Sequence, residues 1–150
     1  MRVVIQRVVE ANVTIKNKIH SRIGQGLLVL FAVEKNNNPQ DLDWLVKKII
    51  NMRIFADQDN KMNLSVKDIN GEILAISQFT LYASTKKGNR PSFLESETPG
   101  EAKEIYHTFL NKLDLNYPQK IKSGIFGADM KVSLINDGPV TISIDSQRRE

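Results

Sequence analysis

No cysteine occurs among the 150 residues, and His20 and His107 are the only histidines. The first absence excludes a disulfide framework, a thiolate metal site and a cysteine nucleophile. The second leaves any Ser-His-Asp triad dependent on one of two rings, and a zinc site would need both plus carboxylates. Long hydrophobic runs are missing as well. The longest, Leu27 to Val33, has seven residues, well short of the roughly 18–20 that cross a bilayer. The opening segment, MRVVIQRVVEANV, alternates charge and bulk and lacks the apolar block of a secretory leader. A cytoplasmic protein with no membrane association is therefore expected. Hydrophobic residues at 41% and charged residues at 25% match a globular chain and exclude a disordered, collagenous or coiled-coil one. The length suits one domain over residues 1–150.

The formal net charge is +4, a mild pointer to a polyanionic partner. Its distribution says more. Ile73 to Leu94 carries Lys86, Lys87 and Arg90 and no acid, and Leu115 to Ala128 carries Lys120 and Lys122 and no acid. Such stretches are either solvated loops or contacts to phosphates.

Arg2 to Val9 reads as a strand, and Val13 to Lys16 with Ile19 to Ile23 as a hairpin about Asn17-Lys18. Leu27 to Val33 reads as a fully buried strand. Asn38, Pro39 and Asp41 open a helix whose apolar stripe is Leu42, Leu45, Val46, Ile49 and Ile50. Arg53 to Phe55 reads as a short strand. After the Asn70-Gly71 turn, Glu72 to Tyr82 is the longest strand expected. Thr98-Pro99-Gly100-Glu101 has capping-box spacing before a second helix, whose buried face runs from Ala102 to Leu113. Lys120 to Ser123, Met130 to Ile135 and Val140 to Asp145 complete the strands. About eight strands and two helices, grouped rather than alternating, predict an α+β fold. Its curved, largely antiparallel sheets are expected to form a barrel-like layer packed with two or three helices.

Three polar side chains interrupt the apolar run at Ser77-Gln78-Phe79-Thr80-Leu81. Period-2 alternation places Ser77, Phe79 and Leu81 on one face and Gln78 and Thr80 on the other. The polar groups either meet solvent or line a pocket. A threonine hydroxyl is a weak nucleophile without a base, and no histidine or acid lies near Thr80 in sequence. Asn136-Asp137-Gly138-Pro139-Val140-Thr141 reads as a turn between strands. Proline is tolerated there because it removes a ladder donor, and an X–Pro bond can be cis, which would redirect backbone carbonyls. Asn89-Arg90-Pro91-Ser92-Phe93 joins a cation to an aromatic. Ile125 to Met130 is either core or pocket wall. His20 and His107 read as surface residues, and Asp57, Asp59 and Asn60 form only a fragment of a calcium loop.

Taken together, these segments resemble the D-aminoacyl-tRNA deacylase family, also called D-tyrosyl-tRNA deacylases. Its two signatures stand here as SQFTL at 77–81 and NDGPVT at 136–141. The likeness also takes in MRVVIQRV at 1–8, GLLVLFAVEK at 26–35, RIFADQDNKMNLSV at 53–66, GNRPSF at 88–93 and FGADMKVSLINDGPVT at 126–141. It implies a cytoplasmic homodimer with active sites at the subunit interface. It implies hydrolysis of the ester joining a D-amino acid to the 3′ end of tRNA, with mischarged glycine also accepted. No metal or organic cofactor is implied. Ser77, Gln78, Phe79 and Thr80 would line the site. Gly138 and Pro139 would form a Gly-cisPro chiral selector reaching into the partner's pocket. Main-chain N–H groups of Phe79 and Thr80 are the expected oxyanion donors, with the substrate's 2′-hydroxyl assisting. Lys86, Lys87 and Arg90 are expected to contact tRNA phosphates. The rival readings are a non-catalytic module binding the tRNA acceptor end and a small-molecule esterase with a Thr80 nucleophile.

Overall fold

A computed structural model describes residues 1–149. The chain opens with a long strand, β1 (Arg2–Ile15), which turns through Lys16 and Asn17 into β2 (Lys18–Ile23). Both turn residues have positive φ, as the hairpin turn that follows strand twist requires. Next come β3 (Gly26–Ala32), α1 (Gln40–Asn51), a short hairpin of β4 (Phe55–Ala56) and β5 (Met62–Leu64), and β6 (Glu72–Ser77). A 3-10 turn (Phe79–Tyr82), α2 (Pro99–Asn116), β7 (Ile121–Ser123) and β8 (Lys131–Asp145) follow.

The main sheet runs β2-β1-β3-β6-β7, and β8 also pairs with β1. β1 is the hub. Its first half lies between β3 and β8, its second half between β2 and β8, all antiparallel. β6 joins β3 and β7 in parallel. The result is the expected α+β fold with a barrel-like, nearly closed sheet, its antiparallel part extended by a parallel corner. At the start of that corner a Cβ on Gly26 would lie 1.9 Å from the Glu72 carbonyl oxygen, so only glycine lets the strands approach so closely.

Both faces of β3 are buried, which explains its unbroken apolar run. Leu27, Val29 and Phe31 face the helices, where Phe31 stacks on Phe109 of α2 at 4.2 Å between ring centres. Leu28 faces a second core with Val8, Val13, Ile23, Leu74 and Ile76 inside the curved sheet. Trp44, the sole tryptophan, packs partly buried on α1. The Lys48 ammonium and Arg149 guanidinium each lie 5.6 Å from its ring centre. Among the described residues no helix is long and apolar enough to cross a membrane.

Both helix starts follow their local signals. Asn38 Oδ1 accepts from the Gln40 N–H at 3.0 Å, although the helix begins one residue after Pro39. Thr98 Oγ1 accepts from the Glu101 N–H, with Pro99 at the first helical position. Four strand expectations need correction. Arg2 to Val9 and Val13 to Lys16 are one strand, β1, since β8 pairs along both halves, and the hairpin turn is Lys16-Asn17 rather than Asn17-Lys18. Glu72 to Tyr82 is no continuous strand: the Gln78 N–H makes the last ladder bond, to Phe31 O at 2.7 Å, and the Gln78 carbonyl then accepts from the Leu81 N–H in a 3-10 turn, so β6 ends at Ser77. The alternation assumed for Ser77, Phe79 and Leu81 ends there too. The strand expected at Arg53 to Phe55 is Phe55–Ala56. Met130 to Ile135 and Val140 to Asp145 are one strand, β8, because β1 pairs with it on both sides of the irregularity.

Candidate active site

Where β6 stops, a cleft of about 500 Å³ opens. Ile76, Ser77, Gln78 and Phe79 form one wall, and Phe126 to Met130 the other. Glu97, Pro99 and Ala102, at the start of α2, close one end. Of the segment Ile125 to Met130, all but Ile125 is thus pocket wall. The lining is mainly apolar, with Ser77, Gln78, Glu97 and Asp129 as its polar groups. Beneath it, the buried Tyr106 hydroxyl donates to Ala75 O at 2.8 Å, and burial pushes its phenol well above the usual range.

The 3-10 turn fixes how the main chain faces this cleft. Phe79 O accepts from the Ser96 hydroxyl at 3.0 Å. Gln78 O accepts from the Leu81 N–H and Thr80 O from the Ala83 N–H. Leu81 O accepts from Arg2 Nη1 at 3.1 Å. Every carbonyl from 78 to 81 therefore has a partner. Among the described residues, the N–H groups of Phe79 and Thr80 have no protein acceptor. They are the unsatisfied donors that any helix start leaves. A trans peptide directs its C=O and N–H to opposite sides, so holding Phe79 O on Ser96 turns the Thr80 N–H the other way.

The side chains are less reactive than the main chain is available. Gln78 Nε2 donates to Thr80 Oγ1 at 2.5 Å, and an amide N–H cannot take a proton from a hydroxyl. Thr80 is exposed at the rim and does not line the cleft. His20 and His107 are both exposed, as expected. Asp57 is occupied in closing a turn, its Oδ1 accepting from the N–H groups of Asp59 and Lys61. Phe79 is 57% exposed and meets the edge of Phe93 at 5.1 Å. Phe93 follows the loop that carries Lys86, Lys87 and Arg90, all exposed. Paired hydrogen bonds between Ser84 and Ser92 close that loop at its base. The base of the loop that carries the three cations is thus joined to the cleft through Phe93 and Phe79.

The second signature lies elsewhere. Gly138 and Pro139 are exposed and neither lines the cleft of their own chain. The bond between them is cis, and Gly138 has φ +120°. A Cβ on Gly138 would sit 2.8 Å from the Arg7 guanidinium. Arg7, largely buried in β1, pairs with the Asp137 carboxylate and donates to Asp137 O, both at 3.2 Å, and to Ile54 O at 2.6 Å. Ser77, Gln78 and Phe79 are thus gathered at one place, Thr80 stands at its rim, and Gly138-Pro139 is presented outward. Sequence reasoning missed Ser96, which holds the turn, and Arg7. A cation inside the apolar strand MRVVIQRVV was the one available signal for Arg7.

Near the turn, Tyr82 is buried and its hydroxyl has no partner among the described residues. Burial, with Glu34 and Asp145 nearby, drives its phenol far above the usual value. Burial pushes the Asp145 carboxyl up, but hydrogen bonds from Arg2 and the Gln147 N–H, with the Arg2 charge, hold it below the usual range overall.

These features define a small α+β protein with a barrel-like sheet and a mainly apolar cleft, beside which two main-chain N–H groups lack a protein acceptor among the described residues. The chain belongs to the D-Tyr-tRNA(Tyr) deacylase family, whose model matches residues 4–145. It is 57% identical to a D-aminoacyl-tRNA deacylase of Flavobacterium psychrophilum over 150 residues, covering all of both chains. It is 53% identical to one of Porphyromonas gingivalis, again over the whole of both. Among solved structures it is similar to the c-Myc DNA Unwinding Element Binding Protein, with a TM-score of 0.92 and 41% identity over 97% of this chain and 98% of that one. A probable eukaryotic D-amino acid tRNA deacylase shares the fold, with a TM-score of 0.81 at 17% identity over 95% and 97% of the two chains.

Proposed function

We propose that the chain, acting as one domain over residues 1–150 in the cytoplasm, hydrolyses the ester between a D-amino acid and the 3′ end of tRNA. Water adds to the ester, and free tRNA and the D-amino acid leave, so the reaction proofreads charged tRNA. The observation that carries this reading is the pair of free N–H groups on Phe79 and Thr80 beside the cleft, in a member of this family. The substrate is an activated ester with a free hydroxyl on its own ribose. Orientation can supply up to about 7–11 kcal/mol of such a barrier, and each oxyanion donor about 2.7–4 kcal/mol. The apolar walls suit a base and a side chain, with Ser77 and Gln78 as the polar contacts. The reaction consumes only water, and the reading invokes no metal or organic cofactor.

Gly138 and Pro139 stand outside their own cleft and exposed, which suits a homodimer in which each chain's pair enters its partner's site. There the main chain excludes an L side chain and lets a D side chain, or glycine with none, pass. Backbone serves every side chain equally, whereas a side-chain pocket would restrict the amino acids accepted. Lys86, Lys87 and Arg90 contact phosphates of the acceptor arm.

Deacylation of paired D- and L-aminoacyl-tRNA tests the reading. Cleavage of the D form and of glycine, with the L form spared, is expected. Binding of tRNA without ester loss would leave only an acceptor-end module. The nucleophile esterase is tested by Thr80→Ala, which should retain substantial activity; loss of about 10⁴-fold with the fold intact would restore Thr80 as nucleophile. Joint replacement of Lys86, Lys87 and Arg90 by alanine should flatten the salt dependence of tRNA binding. An unchanged slope would return them to solvated surface.

A further inference from the structure

We infer that Asn136 is a positioning residue for chiral discrimination, holding the Asp137–Pro139 loop in the one shape that lets it act. The inference rests on the reading of Gly138-Pro139 as the selector. Between the pairs Val8↔Asn136 and Gln6↔Thr141, β1 advances two residues while β8 advances five. The ladder therefore cannot serve the residues between, and Pro139 brings no N–H of its own. Something other than the sheet must set the loop.

Asn136 does so from both ends of its amide. Its Oδ1 accepts from the Val140 N–H at 3.1 Å, across the loop. Its Nδ2 donates to Thr141 Oγ1 at 3.0 Å. Thr141 Oγ1 also receives Gln6 Nε2 of β1 at 3.3 Å. The residue before the loop is thus tied to the two after it, and through Gln6 to the neighbouring strand. Val140 is itself buried in the main core, so the clip joins an exposed loop to a fixed point. Arg7 holds Asp137 from the other side. A selector made of main-chain atoms works only if placed to within a fraction of an ångström. Losing the clip should therefore blur discrimination before it unfolds anything, since Thr141 is exposed and the bond to the Val140 N–H is only part-buried.

The test compares kcat and KM on D-tyrosyl-tRNA and L-tyrosyl-tRNA for the full-length protein and the variants Asn136→Ala, Thr141→Val and Gly138→Ala, with a thermal melt of each. For Asn136→Ala the D/L ratio of kcat/KM should fall about tenfold or more, the order expected of a sub-ångström misplacement. The fall should come through faster L cleavage and a raised KM for the D form. Its Tm should drop by no more than about 2–4 °C. Thr141→Val, which removes one of the two ties, should lower the ratio in the same direction by a smaller factor. A ratio within twofold of the parent in either folded variant would overturn the inference, as would equal losses on both substrates. If Asn136→Ala does not fold, Thr141→Val decides alone. Gly138→Ala separates the two levels. If it leaves discrimination unchanged, the selector reading fails; if it abolishes discrimination while Asn136→Ala does not, only the role of Asn136 fails.

Discussion

The two signature segments are held in opposite ways. Ser77 to Tyr82 grows out of a buried strand. Main-chain bonds to Phe31 and the Ser96 hydroxyl fix it, and Tyr106, Phe31 and Phe109 underpin it. Asn136 to Thr141 projects from the β1–β8 ribbon, and side chains hold it: Arg7, Asn136 and Gln6. A site set by core packing is as stable as the fold itself. A site set by a few polar side chains can lose its shape while the fold survives. The cleft should thus be the robust half of the machinery and the projecting loop the tunable one.

The strongest way to break the contrast is through the core. Phe109 is fully buried against Phe31, so Phe109→Ala should cost about 3–5 kcal/mol of stability. Urea denaturation should show it, with activity lost at the same denaturant concentration as structure. Inactivation well before unfolding would mean that the cleft is not core-held. Arg7→Ala should cost less, about 1–3 kcal/mol, mainly from leaving Ile54 O without its donor. Here discrimination should suffer while D cleavage persists, and an unchanged D/L ratio would count against a loop held by side chains. Tyr106→Phe removes one hydrogen bond to Ala75 O, which still receives the Gly124 N–H. A loss near 1 kcal/mol is expected, read by the same denaturation curves.

The smallest effect concerns acid. Asp145 has a carboxyl pKa below its ordinary value of about 3.9. Its contribution is full above that value and declines as pH falls through the lower folded one. As pH falls below about 4, stability of the parent should thus drop more steeply than that of Asp145→Asn, because only the parent loses the charge that pairs with Arg2. Equal slopes would remove Asp145 from the account.

Much of this was readable where the determinants are local. Asn38, Thr98 and Pro99 mark helix starts within a few residues, and Leu27 to Val33 announces a strand buried on both faces. The end of β6 was not readable. SQFTLY keeps a strand-like pattern, and the 3-10 turn that replaces the strand after Gln78 is held by the Ser96 hydroxyl on Phe79 O, seventeen residues away. The same holds for β8, where Asp-Gly-Pro reads as a turn and only pairing with β1 shows one strand with an outgrowth. Ser77 and Gln78 stood out because they interrupt an apolar run, but only the resemblance to the family picked them, with Phe79, as candidate site residues. Ser96 did not stand out, being one serine among many until its hydroxyl meets Phe79 O.

Trp44 on α1 has the Lys48 ammonium and the Arg149 guanidinium each 5.6 Å from its ring centre and is absent from the cleft lining. As the sole indole it dominates the emission of this protein. Its fluorescence therefore follows the seating of Arg149 on its ring and reports little of what enters the cleft. A silent titration by intrinsic fluorescence is no sign that tRNA has failed to bind, and a tryptophan placed at Phe93, beside Phe79, would give the cleft a signal of its own.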